Sequence, residues 1–292
     1  MSNKNMEIVL ESIKFNKAGH QAMKNGSYRE AIENFKKALE LVPGRKDCPY
    51  NIGVAYGNLG EYQKAIESYT KAIDKDHQYA DAYLNRGFAY GKLGEEDKAI
   101  EDFTKTIEID AGYVAAYFNR ALAYFKKDNI SMAINDLTEA VSINPTYSEA
   151  YYFRGNCFKK LEDNESAIRD YTKALEIKPK FDAYYNRAIS YNALEQYEAA
   201  IKDYTEAIRI NPRYVSAYSN RAGVYNKTEK YQKAIEDSNK AIELDPQHAS
   251  AFLNRGVAYF KLGDEEKAEK DLDKYDKLKG SVESFVDFML KT

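Results

Sequence analysis

The residue types that most often carry chemistry are few and scattered in this sequence. Its three histidines and two cysteines are His20, His77, His248, Cys48 and Cys157. No histidine stands at metal-ligand spacing from another histidine or from a cysteine. Neither cysteine has a neighbouring histidine that would activate it as a nucleophile. These residues therefore predict no metal centre and no covalent catalyst, and two cysteines are too few for a disulfide scaffold.

One segment, residues 87–93, partly matches a phosphate-binding loop. It reads Gly-Phe-Ala-Tyr-Gly-Lys-Leu, which is one residue short and lacks the Ser or Thr that would hold magnesium. It also lies within a helical pattern instead of between a strand and a helix. Gly91 and Lys92 have counterparts in Gly57 and Asn58, so an internal repeat explains them better. We therefore expect a protein that is not an enzyme and has no cofactor.

Composition and charge exclude several classes of partner. The 292 residues carry a net charge of -3, and Lys alternates with Glu along the chain. This balance gives no electrostatic case for binding nucleic acid or an anionic membrane. The N-terminus lacks the apolar core and cleavage site of a signal peptide, and no window approaches the length of a membrane span. We expect a soluble, cytoplasmic protein.

Any functional residues would be positioned by a unit of about 34 residues that is repeated in tandem along the chain. The pattern places eight copies at 12–45, 46–79, 80–113, 114–147, 148–180, 181–214, 215–248 and 249–282. Numbering each copy from 1, position 20 is always Ala, position 8 is Gly or Ala, and position 11 is aromatic from the second copy onward. Apolar spacing predicts two amphipathic helices per copy, and such a hairpin needs neighbours to cover its apolar face.

This pattern resembles the tetratricopeptide repeat family. The resemblance rests on the period, the helix–turn–helix form and the order small–Tyr–Ala–aromatic–Ala–Pro, over about residues 12–282. Phe or Tyr replaces the family's Trp at position 4, and Arg mostly replaces its Leu at position 7. The resemblance implies an all-α, right-handed α-solenoid of eight hairpins, a single domain over 1–292. After the last repeat, one apolar stripe at helical spacing consists of Val282, Phe285, Val286, Met289 and Leu290. It predicts a capping helix over 281–292, or alternatively a docking helix for a partner or a second copy.

Two positions vary together across the copies. Six copies carry Arg at position 7 and Asp at position 23, whereas the first two copies lack both. The Arg residues are Arg86, Arg120, Arg154, Arg187, Arg221 and Arg255, and the Asp residues are Asp102, Asp136, Asp170, Asp203, Asp237 and Asp271. We predict ion pairs that join the two helices of each hairpin. A row of arginines that binds an anion is the alternative, which the matched carboxylates disfavour.

The first helix of each copy has a second stripe, at positions 2, 5, 6, 9, 12 and 13. In the family this stripe lines a concave peptide-binding surface. Position 5 is apolar in five copies, with further apolar residues at position 9. These are Tyr50, Leu84, Phe118, Tyr152 and Tyr185, and then Val54, Phe88, Leu122 and Ile189. They predict side-chain pockets for a peptide, or alternatively packing between neighbouring repeats.

Asparagine recurs at position 6, although it is a mediocre helix former. The six are Asn51, Asn85, Asn119, Asn186, Asn220 and Asn254. An amide can donate to and accept from an extended peptide backbone, as in the asparagine ladders of some long tetratricopeptide superhelices, or it can join adjacent repeats. Lys92, Lys126 and Lys160 at position 13 either complement the helix dipole or form a row for an acidic ligand.

Together these features predict a non-catalytic scaffold or adaptor that binds an extended segment of another protein. The alternatives are self-association through the C-terminal helix, and a regulatory subunit that positions a separate enzyme. The carboxylate clamp of chaperone-binding relatives is disfavoured. Asn16 and His20 in the first copy stand where that clamp has Lys and Asn, and the third copy has Asp81 and Asn85 in place of Lys and Arg.

Overall fold

The computed structural model describes residues 3–279, and all regular structure within this range is α-helical. Each repeat contributes two consecutive helices, so odd-numbered helices are first helices and even-numbered ones are second helices. The helices are α1 (Asn3–Lys24), α2 (Tyr28–Leu41), α3 (Asp47–Asn58), α4 (Tyr62–Lys75), α5 (Ala80–Lys92), α6 (Glu96–Ile109), α7 (Val114–Lys126), α8 (Ile130–Ile143), α9 (Ser148–Lys160), α10 (Asn164–Ile177), α11 (Phe181–Ala193), α12 (Tyr197–Ile210), α13 (Val215–Lys227), α14 (Tyr231–Leu244), α15 (Ala249–Lys261) and α16 (Glu265–Lys279).

The hairpins fall into two compact units, which meet in sequence at Pro145 and Thr146. The first unit contains α1 to α8 and the second contains α9 to α16. Within each unit, every helix packs on the next one along the chain. The predicted all-α fold of consecutive helical hairpins is confirmed. The predicted C-terminal helix at 281–292 lies outside the described residues.

Close contact between the two helices of a hairpin explains the small residue at position 8. A Cβ atom added to Gly53 would lie 2.6 Å from the ring of Tyr69, and one added to Gly155 would lie 2.8 Å from the ring of Tyr171. In these two repeats the aromatic ring at position 24 therefore packs directly on the backbone of the first helix. The position 20 alanines are completely buried in all eight repeats: Ala31, Ala65, Ala99, Ala133, Ala167, Ala200, Ala234 and Ala268.

The turn inside each hairpin requires a left-handed residue at position 15. Four repeats place Gly there, and the other four place Asp128, Glu162, Glu195 or Glu229 there with φ between 58° and 63°. In the fifth repeat the amide of Asp163 donates to the carbonyl oxygen of Phe158 at 3.0 Å, which closes the helix end around Glu162. An L-amino acid in this conformation costs free energy that glycine does not.

We expect Glu162→Gly to raise the free energy of unfolding by about 0.5–1 kcal/mol, because relief of the left-handed strain exceeds the entropy cost of glycine. Urea unfolding followed by circular dichroism measures the change. Gly94→Glu, at the same position of the third repeat (φ 76°), is the reciprocal control and should destabilise by a similar amount. Equal stability of both variants and the wild type would contradict a strained turn.

Candidate functional site

The six predicted Arg–Asp pairs are all present within single hairpins, which confirms the pairing. Each guanidinium makes two parallel hydrogen bonds, Nε to Oδ2 and Nη2 to Oδ1, with lengths between 2.6 and 2.8 Å. The aspartates are buried. The hydrogen bonds that Arg120 donates to Asp136 raise the pKa of the guanidinium above its usual value, and they outweigh the opposing effect of burial. The guanidinium groups are thus occupied by their own carboxylates, which removes the basis for an anion-binding row.

A third contact, which sequence reasoning missed, links Arg86, Arg120, Arg187, Arg221 and Arg255 to the preceding hairpin. Arg86 Nη1 donates to Thr70 Oγ1 at 3.0 Å, and Arg187 Nη1 donates to Thr172 Oγ1 at 2.8 Å. Position 25 of the preceding repeat supplies the acceptor in each case: Thr70, Thr104, Thr172, Thr205 and Asn239. The sequence contained a sign of this contact. Position 25 is Thr or Asn wherever the next repeat has the arginine, and it is lysine (Lys36) in the first repeat, where the next repeat lacks the arginine.

The groove face, defined as positions 2, 5, 6, 9, 12 and 13 of the odd-numbered helices, carries the asparagine row. Asn85 Nδ2 donates to the hydroxyl of Tyr50 at 2.9 Å. Asn186 and Asn220 donate in the same way to Tyr152 and Tyr185, each at 3.0 Å. The position 6 amide therefore joins its helix to the position 5 tyrosine of the preceding repeat. One such bond uses one of the two N–H groups of the amide.

Asn119 and Asn254 have other partners, because the preceding repeat lacks the tyrosine. Asn119 Nδ2 donates to the carbonyl oxygen of Ala115 in its own helix at 2.7 Å, and the preceding position 5 is Leu84. Asn254 Nδ2 donates to the backbone carbonyl of Ser219 at 2.8 Å. Asn51 is half-buried. For the five asparagines with a bond described here, the partner thus depends on position 5 of the preceding repeat.

The position 5 aromatic rings are half-buried between helices instead of projecting from the groove face. The Tyr50 ring lies 5.9 Å from that of Tyr69 and 4.9 Å from that of Tyr79. Tyr185 packs similarly, 5.8 Å from Tyr204 and 4.8 Å from Tyr214. Tyr152, Leu84 and Phe118 are also half-buried. These residues form the floor of the groove face.

Position 9 supplies the apolar side chain that projects from this face in the first unit. Phe88 is 45% exposed. It separates two adjoining pockets, one of about 190 Å³ lined in part by Val54 and Asn85, the other of about 200 Å³ lined in part by Asn119 and Leu122. Each pocket thus offers a position 6 asparagine beside apolar walls.

The position 13 lysines do not form a free row of cations. Lys126 Nζ pairs with Glu96 Oε1 at 2.8 Å, across to the preceding repeat. Lys92 Nζ lies 5.0 Å from the centroid of the Phe88 ring, in a cation–π contact. Lys160 lies in the last turn of α9, where a positive charge complements the helix dipole. These contacts favour the structural interpretation of the lysines over a site for an acidic ligand.

The described residues do not bring other chemistry together. Within residues 3–279, no three His, Cys, Asp or Glu side chains are placed to hold a metal ion. None of the helices in that range is long and apolar enough to cross a bilayer. Burial raises the pKa of Cys48 to about 11 and that of Cys157 to about 12, so neither is a ready thiolate nucleophile.

Comparison with known protein families finds one kind of repeat along most of the chain. A profile described as tetratricopeptide repeat matches residues 80–113, 114–147, 148–181 and 181–214. A second, described as TPR repeat, matches 55–94 and 223–263. A third, again described as tetratricopeptide repeat, matches 15–44 and 249–281. None of the curated proteins searched matches this chain.

Solved structures show the same fold. The MamA protein is 27% identical with a TM-score of 0.54, covering 56% of this chain and 90% of its own. YrrB, described as a TPR protein with an unusual peptide-binding site, is 23% identical with a TM-score of 0.59, covering 64% of this chain and 97% of its own. The C-terminal part of a TPR repeat-containing protein from Cytophaga hutchinsonii is 20% identical with a TM-score of 0.70, covering 82% and 98%.

Proposed function

We propose, since this chain belongs to the tetratricopeptide repeat family, that it is a non-catalytic scaffold or adaptor that binds an extended segment of another protein along its groove face. Tetratricopeptide repeats are generally interaction modules without catalytic activity. YrrB is described as having a peptide-binding site, but at 23% identity that likeness concerns the fold. The proposal therefore depends on features of this chain, and its proposed setting is the cytoplasm.

The observation that carries the proposal is the pair of adjoining pockets on either side of Phe88. Each pocket, of about 190 or 200 Å³, is on the scale of one amino-acid side chain. Two successive side-chain pockets on one face suit an extended chain better than a compact ligand. The apolar walls contributed by Val54 and Leu122 would take the side chains.

The asparagines would bind the backbone of the same peptide. Asn85 donates one N–H to Tyr50, and an amide has a second N–H and a carbonyl oxygen to offer. The hydroxyl of Tyr50 holds the amide in place, which lowers the entropy cost of engaging a ligand. Joining repeats and binding a peptide are therefore compatible roles for this residue. The same reasoning extends to Asn220, which Tyr185 holds.

The proposal is tested by selecting binders and then removing the wall between the pockets. A phage-displayed library of random dodecapeptides is selected against the full chain, and affinities of the selected peptides are measured by fluorescence anisotropy. Phe88→Ala should weaken binding about tenfold, since it deletes apolar contact worth about 1.4 kcal/mol. Stability should change little, because Phe88 is already 45% exposed in the free protein.

Leu93→Ala is the matched control. Leu93 is 43% exposed in the same hairpin but does not line either pocket. It should leave affinity unchanged. A library that yields no binders, or binders that lose affinity equally in both variants, would contradict peptide binding at these pockets.

A further inference from the structure

The first two repeats lack the Arg–Asp pair, and in the second repeat a cleft lies where the pair would stand. Ile52 stands at position 7 and Ser68 at position 23, where the six later repeats have Arg and Asp. Lys36 stands at position 25 of the first repeat, where the acceptor for the missing arginine would be. The Ser68 hydroxyl donates to the carbonyl oxygen of Lys64 in its own helix at 2.7 Å. No guanidinium therefore spans the space between α2, α3 and α4.

The cleft has a volume of about 340 Å³ and an apolar floor. Leu39, Pro49, Ile52 and Tyr56 form this floor. The space is at the lower end of the range for small-ligand pockets and is large enough for one large apolar side chain. It shares no lining residue with the two groove pockets beside Phe88. The cleft is thus a separate surface of the first unit.

The rim of the cleft is positively charged. Its charged side chains are Lys36, Lys64, Lys71 and Glu67, a surplus of two positive charges. Lys36 pairs with Glu33 at 3.2 Å and Lys64 with Glu61 at 2.7 Å, but such exposed pairs contribute little and can exchange partners. Lys71 makes no ion pair among the described residues. The rim therefore favours a ligand that carries carboxylates.

The spacing of the lysines limits what that ligand can be. Lys64 and Lys71 are seven residues apart on α4, which is about 10 Å along a helix. One carboxylate cannot reach both at hydrogen-bonding distance while its apolar part occupies the floor. Two carboxylates about three residues apart on an extended chain would span the same distance.

We propose that this cleft is a second docking site, which takes a large apolar side chain of a partner protein segment with an acidic residue on either side of it. The apolar side chain fills the space that the Arg–Asp pair fills in later repeats. The carboxylates of the two flanking acidic residues pair with Lys64 and Lys71. The site is independent of the groove face, so one chain can hold two partner segments. That arrangement suits a scaffold.

The chain itself supplies the variant that closes the cleft. The triple change Lys36→Thr, Ile52→Arg and Ser68→Asp copies the residues of the third to seventh repeats, so it should fold. The probe is the acetylated tetrapeptide amide Glu-Phe-Ser-Glu, titrated into the full chain and followed by two-dimensional NMR. We expect saturable shifts around Ile52 that weaken with salt and are reduced at least tenfold in affinity by the triple change.

Two single variants keep the test decisive if the triple variant does not fold. Lys71→Gln should weaken binding about threefold or more, whereas Lys105→Gln should not. Lys105 stands at the same position of the third repeat, where Arg86 and Asp102 fill the corresponding space. The proposal is overturned if these two variants behave alike, or if Lys-Phe-Ser-Lys binds as well. It is also overturned if phenylpropionate alone binds as tightly as the peptide, which would mean a small-molecule site.

Discussion

Replacing Arg187 with leucine is expected to lower the free energy of unfolding by about 3 kcal/mol or more, because it strands a buried carboxylate. Asp203 is 3% exposed, and its two oxygens accept from Arg187 Nε at 2.6 Å and Nη2 at 2.8 Å. The variant also removes the bond to Thr172 that links this hairpin to the one before it. Urea unfolding monitored by circular dichroism measures the loss.

The double variant Arg187→Leu with Asp203→Leu should recover much of that stability, since neither charge is then left unpaired. Simple additivity of the two single changes in a double-mutant cycle would contradict the pairing. Arg209→Leu is the control. Arg209 pairs with Glu206 at 2.9 Å but is 68% exposed in its side chain, so its loss should cost little.

Replacing Tyr171 with alanine should have the largest effect, about 3–5 kcal/mol. Its ring is fully buried, lies against the backbone of Gly155 and is 5.9 Å from the ring of Tyr152. Removing the ring leaves a cavity between α9 and α10. The two helices are rigid and cannot move close enough together to fill it completely. The same unfolding measurement gives the cost.

Tyr171→Phe isolates the hydroxyl contribution of this residue. The hydroxyl donates to Asn156 Oδ1 at 2.7 Å, and Asn156 in turn accepts from Asn186 at 3.3 Å. Its loss should cost only about 1 kcal/mol. If the alanine variant costs no more than the phenylalanine variant, ring packing does not hold this hairpin together.

The repeat pattern and the Arg–Asp pairs could be predicted from the sequence because both are visible within one repeat. Position 20 must be alanine where two helices touch, and its eight copies make the period plain. Arg and Asp at positions 7 and 23 appear and disappear together, which marks a direct contact. Eight copies of one unit provide an internal comparison that a single domain lacks.

Features that depend on two neighbouring repeats were harder to predict. The bond from Arg86 to Thr70 and the bond from Asn85 to Tyr50 each join residues in different copies. Asn119 looks the same in sequence but bonds within its own helix, because Leu84 precedes it. The sequence also did not show which side chains of the groove face are exposed. The position 5 residues form the floor of this face, whereas Phe88 at position 9 projects from it.

The most direct test of the central proposal is to locate a selected dodecapeptide on the chain by photo-cross-linking. Leu122, which lines a groove pocket, and Leu93, which lies at the turn, are each replaced by p-benzoylphenylalanine in separate proteins. Binding along the groove face predicts strong cross-linking from position 122, competed by unlabelled peptide, and little from position 93. Equal cross-linking at both positions, or cross-linking only at position 93, would contradict it.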